Sequence, residues 1–330
     1  MYDALVYAPF VYFLSSARVV FSGLLTVKAR DEIRIDDDVD VSGDGGGLPS
    51  NTLEAGCSND GSHGGGAAFG GYGGRSSHYD AHFSPCGRYE YPYQRGNGGR
   101  SWGSAGGAGG AGLRLQVNDT IDSVLYLNGT VHVRGANGIN GGNSGSSGGG
   151  SGGGIVVDVR YLRGDGKIAV NGGHGAGGQY GGGGGSGGRA AIHVAYNEWT
   201  GETEACGGWY HSSSAGTMGH GGPGTVFWSE GPYVPTRFTT LVVDNCNQVA
   251  DQAVLTSGEH VYVACGRLWA WVWVLSRVAG HAITFVVPPP GTSSRMSTSP
   301  AQPSCPSHDH PPRPARSCSS TTCTATRLAG

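Results

Sequence analysis

The sequence predicts an all-β fold, a parallel β-solenoid with glycine-rich loops and a disordered C-terminal tail. Three observations predict it. A short phrase, glycine-x-hydrophobic-x-hydrophobic-x-glycine, recurs as Gly129-Thr130-Val131-His132-Val133-Arg134-Gly135 and Gly166-Lys167-Ile168-Ala169-Val170-Asn171-Gly172, and weakly as Gly201-Glu202-Thr203-Glu204-Ala205-Cys206-Gly207. Val131 to Ile168 is 37 positions and Ile168 to Glu204 is 36, an interval that marks repeating units laid on one another. A second strand signal travels with the first: Leu113–Val117, Ile155–Val159, Ala190–Val194 and the shorter Thr225–Trp228 each follow directly on a glycine-rich tract. Finally, glycine supplies 64 of 330 residues without a strict Gly-X-Y period, which excludes collagen.

Each unit thus reads as strand, turn, strand, glycine-rich excursion. Alternation lets Leu113, Leu115 and Val117 share an interior with Val131 and Val133, while Arg114, Gln116 and His132 stay wet. In the third unit Glu204 and Cys206 replace the apolar pair, which weakens its strand. The glycine tracts admit two kinds of order, tight turns at positive φ or polyglycine extended helices lying side by side.

Along the chain, residues 1–18 carry two readings. Ala4–Leu14 is almost wholly apolar and Ser15-Ser16-Ala17 suits a signal peptidase, but Asp3 stands where a leader wants a positive charge. The segment is either a leader or the inside of a strand in a piece of a longer chain. The solenoid spans 19–245, with an early unit at Ile33-Arg34-Ile35 and Val39-Asp40-Val41 and an insertion, or several degenerate units, at about 45–112. Residues 246–287 read as a β-rich cap or the start of a next domain, with Trp269, Trp271 and Trp273 on one face if extended. Residues 288–330, rich in Pro, Ser, Thr and Arg, read as a disordered tail or a shifted reading frame.

Charge narrows the partners. Lys and Arg number 21 against 24 Asp and Glu, a net −3 with no basic stripe, which argues against nucleic acid. Leu268–Leu275 is apolar but far shorter than the ~20 residues a bilayer needs, so no membrane span is expected. Eight cysteines form no C-x-x-C pair, excluding a zinc ribbon and fitting scattered disulfides. Asn118 and Asn128 open glycosylation sequons near strand ends. Together these point to an extracellular or cell-surface setting.

The tracts leading into Ile155-Val156-Val157-Asp158-Val159 and Ala190-Ala191-Ile192-His193-Val194, with Leu162–Gly173 between them, resemble the glycine-rich repeats of very large secreted or cell-surface proteins of protists and simple animals. That repeat is similar to a rung of a pectin-lyase-like parallel β-helix. The resemblance covers about Val19 to Asn245 and includes Thr239–Asn245, which looks like the stretch that closes such a block. It implies a right-handed parallel β-helix and a long extracellular scaffold, and it brings no catalytic residues.

Several motifs tempt. Ser151 and Ser186 sit in Gly-x-Ser-x-Gly, the hydrolase elbow, but that elbow needs a following helix and glycine surrounds both. Asp36, Asp37, Asp38, Asp40 and Asp44 invite calcium, yet Val41 and Gly47 fall where an EF-hand needs glycine and glutamate. Asp40, Asp158 and Asp165 could serve polysaccharide cleavage, without a basic cluster to hold a polyuronate. Arg163-Gly164-Asp165 is an integrin-type tripeptide and equally a plain turn. His174, His193, His211 and His220 have no metal-ligand spacing. Tyr72, Tyr79, Tyr89, Tyr91, Tyr93 and Trp102 crowd the insertion, and flat rings suit sugar faces. They are the candidate ligand-facing residues; no catalytic, cofactor or metal residues are assigned. The expected function is a non-catalytic structural or adhesive scaffold contacting matrix or cell-surface glycans or proteins. The alternatives are a carbohydrate-binding or carbohydrate-active β-helix and a disordered glycine-rich structural protein.

Overall fold

The computed structural model describes residues 3–53, 57, 64–76, 84–101, 104–118, 123–141, 145–177, 181–210, 219–232, 238–246, 263–265, 268–270 and 283–287. The chain divides into two units, Met1–Thr292 and Ser293–Gly330, and all described residues lie in the first. The expected tail, 288–330, lies outside them, as do Trp271 and Trp273.

Every regular element among the described residues is a strand. The larger sheet holds β1 (Ala4–Phe13), β3 (Leu24–Ile35), β5 (Gly112–Val117), β6 (Val124–Leu127), β8 (Gly154–Gly164), β10 (Arg189–Trp199), β12 (Thr225–Glu230), β13 (Phe238–Val243) and β16 (Ile283–Val287). The smaller holds β2 (Arg18–Val20), β4 (Asp40–Ser42), β7 (Thr130–His132), β9 (Lys167–Ala169) and β11 (Glu202–Glu204). A separate antiparallel pair joins β14 (Val263–Cys265) to β15 (Leu268–Ala270). β1 begins where the leader reading was placed.

Successive units contribute one long strand to the larger sheet and one short strand to the smaller, all parallel. Leu25, Leu113, Ile155, Ala190 and Val226 stand side by side in the first. Val19, Val41, Val131, Ile168 and Thr203 do so in the second. The weak third unit does form its strand, β11. The inward rows meet in one core that includes Val27, Ile33, Ile35, Leu115, Leu125, Leu127, Val157, Leu162 and Ile192, all essentially buried. Each such side chain contributes about 1.5–3 kcal/mol of transfer free energy.

The glycine tracts pair in neither sheet, yet along 148–153 and 182–188 every main-chain N–H is hydrogen-bonded. Along 148–153 the main-chain donors rotate through three neighbours with a period of three. Gly148 and Ser151 donate to Arg100 and Asn97, Gly149 and Gly152 to Gly183 and Ser186, Gly150 and Gly153 to Ala136 and Val133, all at 2.8–3.0 Å. Along 182–188 the same rule holds: Gly182, Gly185 and Gly188 reach Ala176, Gly173 and Val170, Gly183 and Ser186 reach Gly64 and Ala67, and Gly184 and Gly187 reach Gly219 and Gly222. Three residues per turn with all bonds external is the polyglycine form of the extended left-handed helix. At these glycines a side chain cannot enter: a Cβ on Gly149, Gly150, Gly152 or Gly153 would run into the carbonyl of Gly173, Ala108, Val170 or Ala111. Segments of the insertion, 47–48, 64–74, 96–100 and 107–111, belong to the same bundle.

The expected right-handed parallel β-helix with glycine-rich loops is therefore corrected. Pairing in the larger sheet closes on itself, β3 to β5 to β8 to β6 and back to β3, a small parallel ring beside the second parallel sheet. At its far side the parallel order ends in antiparallel β13 and β16. The physical reason lies in the tracts. Where a β-helix has loops between sheets, this chain has a bundle of extended glycine helices, which takes up its own main-chain groups and imposes its own spacing.

Candidate functional site

The insertion crosses the outer face of the larger sheet as a strap, 84–97. Cys86 is tied to Cys57 by a disulfide, Cα atoms 5.3 Å apart. Its carbonyl accepts from Arg189 Nε at 3.1 Å, and Arg189 also donates to Thr225 Oγ1 at 3.1 Å. Tyr89 leans on Phe227, ring centroids 5.5 Å apart. Burial and the neighbouring Glu90 charge push its hydroxyl above the usual phenol range, opposed by Arg189. Tyr91 stacks on His193 at 4.5 Å, and His193 donates from Nε2 to the Glu90 carbonyl at 2.7 Å. Tyr93 shares a hydroxyl bond of 2.8 Å with Thr26 Oγ1 on β3.

The candidate tyrosines thus fall in different places. Tyr72 is buried in the glycine bundle, where its carbonyl takes the Gly222 amide. Tyr89 and Tyr93 are half-buried under the strap. Tyr91 keeps 60% of its surface in water. Tyr79 and Trp102 lie outside the described residues. Asn118 and Asn128 directly follow β5 and β6, both half-buried; Asp119 and Thr120 of the first sequon are not described.

Sequence reasoning missed a second outward row. Arg34, Tyr126, Arg163 and Glu198 stand in register across β3, β6, β8 and β10. Arg34 lies over the Tyr126 ring at 4.9 Å, and Arg163 pairs with Glu198 at 2.9 Å and reaches the Tyr126 hydroxyl. These bonds hold the Arg163 guanidinium above its ordinary range. Beside them Tyr161 and Tyr196 stack at 4.7 Å under Arg160. Tyr126 and Arg163 are 37 positions apart and Tyr161 and Tyr196 are 35, so the repeat interval carried this row too. From the same row the Arg163-Gly164-Asp165 tripeptide turns the chain at the end of β8, its Gly164 at φ +107°.

On the smaller sheet the outward face is charged. His132 Nδ1 meets Asp44 at 2.7 Å and Nε2 meets Asp40 at 2.5 Å, while Arg18 lies 3.7 Å from Asp40. Across the next two strands, Lys167 on β9 bonds Glu204 on β11 at 2.5 Å, and Asn171 bonds it at 3.0 Å. Burial pushes the Glu204 carboxyl up, but these two bonds together with the charges of Lys167 and Arg134 outweigh it and hold it below the usual range. Among the described residues no group of three or more His, Cys, Asp or Glu is placed to hold a metal ion. Ser151 and Ser186 are fully buried, their Oγ atoms accepting the main-chain amides of Asn97 (2.8 Å) and Phe69 (2.9 Å). His174 and His220 accept amides from Trp209 and Tyr210; His211 is not described.

A second disulfide joins Cys206 to Cys246. Two such bonds are of the kind that persists in an oxidising environment. Among the described residues no helix is long and apolar enough to cross a membrane. No family model, curated protein or solved structure matches the chain.

Proposed function

We propose that the chain is a non-catalytic structural and adhesive scaffold of the extracellular space or cell surface, akin to the glycine-rich repeats of large secreted and surface proteins. The observation that carries this reading is the glycine bundle. Its period-three bonding links segments over a hundred positions apart, such as Ala67 with Ser186 at 2.8 Å, so tension on one segment is shared among many. The tempting side chains are spent on the same task, with Ser151 and Ser186 capping main-chain amides and Arg163 held by Glu198. Both disulfides support an extracellular address.

Single-molecule pulling on the oxidised, secreted chain tests the reading. A scaffold unfolds cooperatively at high force, whereas gradual extension at low force would remove it. A second reading, passive carbohydrate binding, is favoured by Tyr91, which offers one ring face to His193 and most of the residue to water. A glycan array run with wild type and Tyr91→Ala separates the two: binding lost in the variant supports the sugar site, and no binding by wild type removes it.

A further inference from the structure

The first strand of the larger sheet has the composition of an interior strand and the position of an edge. Among the described residues β1 pairs with β3 alone. On β3 the outward residues Thr26, Lys28, Glu32 and Arg34 are polar, as a wet face requires. Their neighbours in register on β1 are Leu5, Tyr7, Phe10 and Tyr12, exposed by 68%, 60%, 51% and 49%. Leu14 and Val20 add to the same end of the two sheets, at 53% and 68%. With aromatics offering ~150–250 Å² apiece, this end exposes several hundred Å² of apolar surface. That is comparable to the ~800 Å² per partner of a stable interface and at the upper limit of what a monomer leaves in one patch.

We propose that this edge is a homotypic interface, in which a second copy of the chain adds its own β1 antiparallel, across a two-fold axis between Ala8 and Pro9. The strand is complementary to its own reverse. About that axis Leu5 faces Tyr12, Val6 faces Val11, Tyr7 faces Phe10 and Ala4 faces Phe13. Each pair matches in face, because a shift in the β1–β3 register between Ala8 and Phe10 puts Leu5, Tyr7, Phe10 and Tyr12 outward and Val6, Ala8, Val11 and Phe13 inward. Without that shift, Leu5 and Tyr12 would point to opposite faces.

Main-chain direction agrees. Phe13 gives its carbonyl to the Asp36 amide on the β3 side at 3.1 Å, so the alternate residues Phe10 and Tyr12 turn their N–H and C=O away from β3. Leu5 and Tyr7, on the same face, do likewise. The two outward pairs are therefore the hydrogen-bonded ones, and Pro9, which has no N–H, is in neither. Aromatic and aliphatic cross-strand pairs of this kind each add about 0.2–1 kcal/mol. Residues 4–13 carry no charge, so self-docking sets no like charges together.

The experiment is sedimentation velocity on the full chain over a concentration series into the micromolar range. Wild type is expected to form dimers. Tyr7→Lys and Phe10→Glu, whose folding is checked by their thermal melts, are each expected to be monomeric alone. Mixed together they are expected to form a heterodimer, because the register sets Lys at one position against Glu at the other. A monomeric wild type, a dimer that survives either substitution, or a mixture that stays monomeric overturns the proposal.

Discussion

His132 holds Asp44 at 2.7 Å through Nδ1 while its other nitrogen meets Asp40, so one ring on β7 bridges two carboxylates of the preceding unit. Burial raises the Asp44 carboxyl, but the bond from His132, the Arg134 amide and the charges of both residues outweigh it, and the net shift is downward. A carboxyl depressed in the fold stabilises it above its unfolded value, ~3.9, and loses that contribution as pH falls through the lower folded value. Asp44→Asn should therefore melt below wild type at neutral pH, by about 1 kcal/mol for a partly exposed charged hydrogen bond. The gap should close below pH ~4. A gap that is the same at pH ~3 and neutrality would show that the ionised bridge contributes nothing.

The glycine bundle predicts a large cost for the smallest substitution. In Gly150→Ala the new methyl meets the Ala108 carbonyl, part of the main chain and unable to rotate away. The expected loss is about 3 kcal/mol, the upper part of the range for overpacking, read from denaturant unfolding. Amide exchange should also show Gly150 and Gly185 protected as strongly as β8, since their N–H groups are bonded to Ala136 and Gly173. Rapid exchange there would mean that the extended helices do not persist in solution.

Ser151 and Ser186 give a third prediction that separates packing from chemistry. Each Oγ takes a buried main-chain amide, of Asn97 and of Phe69, from two different parts of the insertion. Replacement by Ala leaves that amide without its acceptor and should cost about 1–3 kcal/mol per site. The amides of Asn97 and Phe69 should lose exchange protection in the matching variant only. A substitution that left both stability and protection unchanged would free these serines for another role.

How much of this was legible in the sequence follows from where side chains carry a period. The interval from Val131 to Ile168 predicted their adjacency, because an apolar residue must return to the same interior row. The outward row of Tyr126, Arg163 and Glu198 obeyed the same interval, but a search for apolar recurrence does not register residues whose chemistry alternates from strand to strand. The bundle was legible only as two alternatives. A run of identical glycines has no side chain to mark a period of three, and which neighbour each N–H meets depends on packing among distant segments. That same indeterminacy misled the fold expectation, since loops and extended glycine helices have one composition. The strap was hidden for another reason: Tyr91 finds His193, and Tyr93 finds Thr26, across more than sixty positions with no repeat relation.

The Cys57–Cys86 disulfide should govern whether the strap stays on the sheet. Its closed loop spans a sequence separation of 29, and Cys86 then places its carbonyl on Arg189. Between Cys86 and Gln94, the strap is held by Tyr89, Tyr91 and Tyr93 through ring contacts and by the part-buried hydrogen bonds of Tyr93 and the Glu90 carbonyl. Opening the loop restores chain entropy to the unfolded state, a change of about 2–4 kcal/mol for loops of this size. Cys57→Ser/Cys86→Ser is therefore expected to unfold at lower denaturant by that amount. Because Tyr91 covers His193, the loss should begin locally, with the Tyr89–Tyr93 segment exchanging its amides well before β8 and β10. If the strap and the sheet lose protection together, the two form one cooperative unit and the disulfide serves the whole body instead of its outer layer.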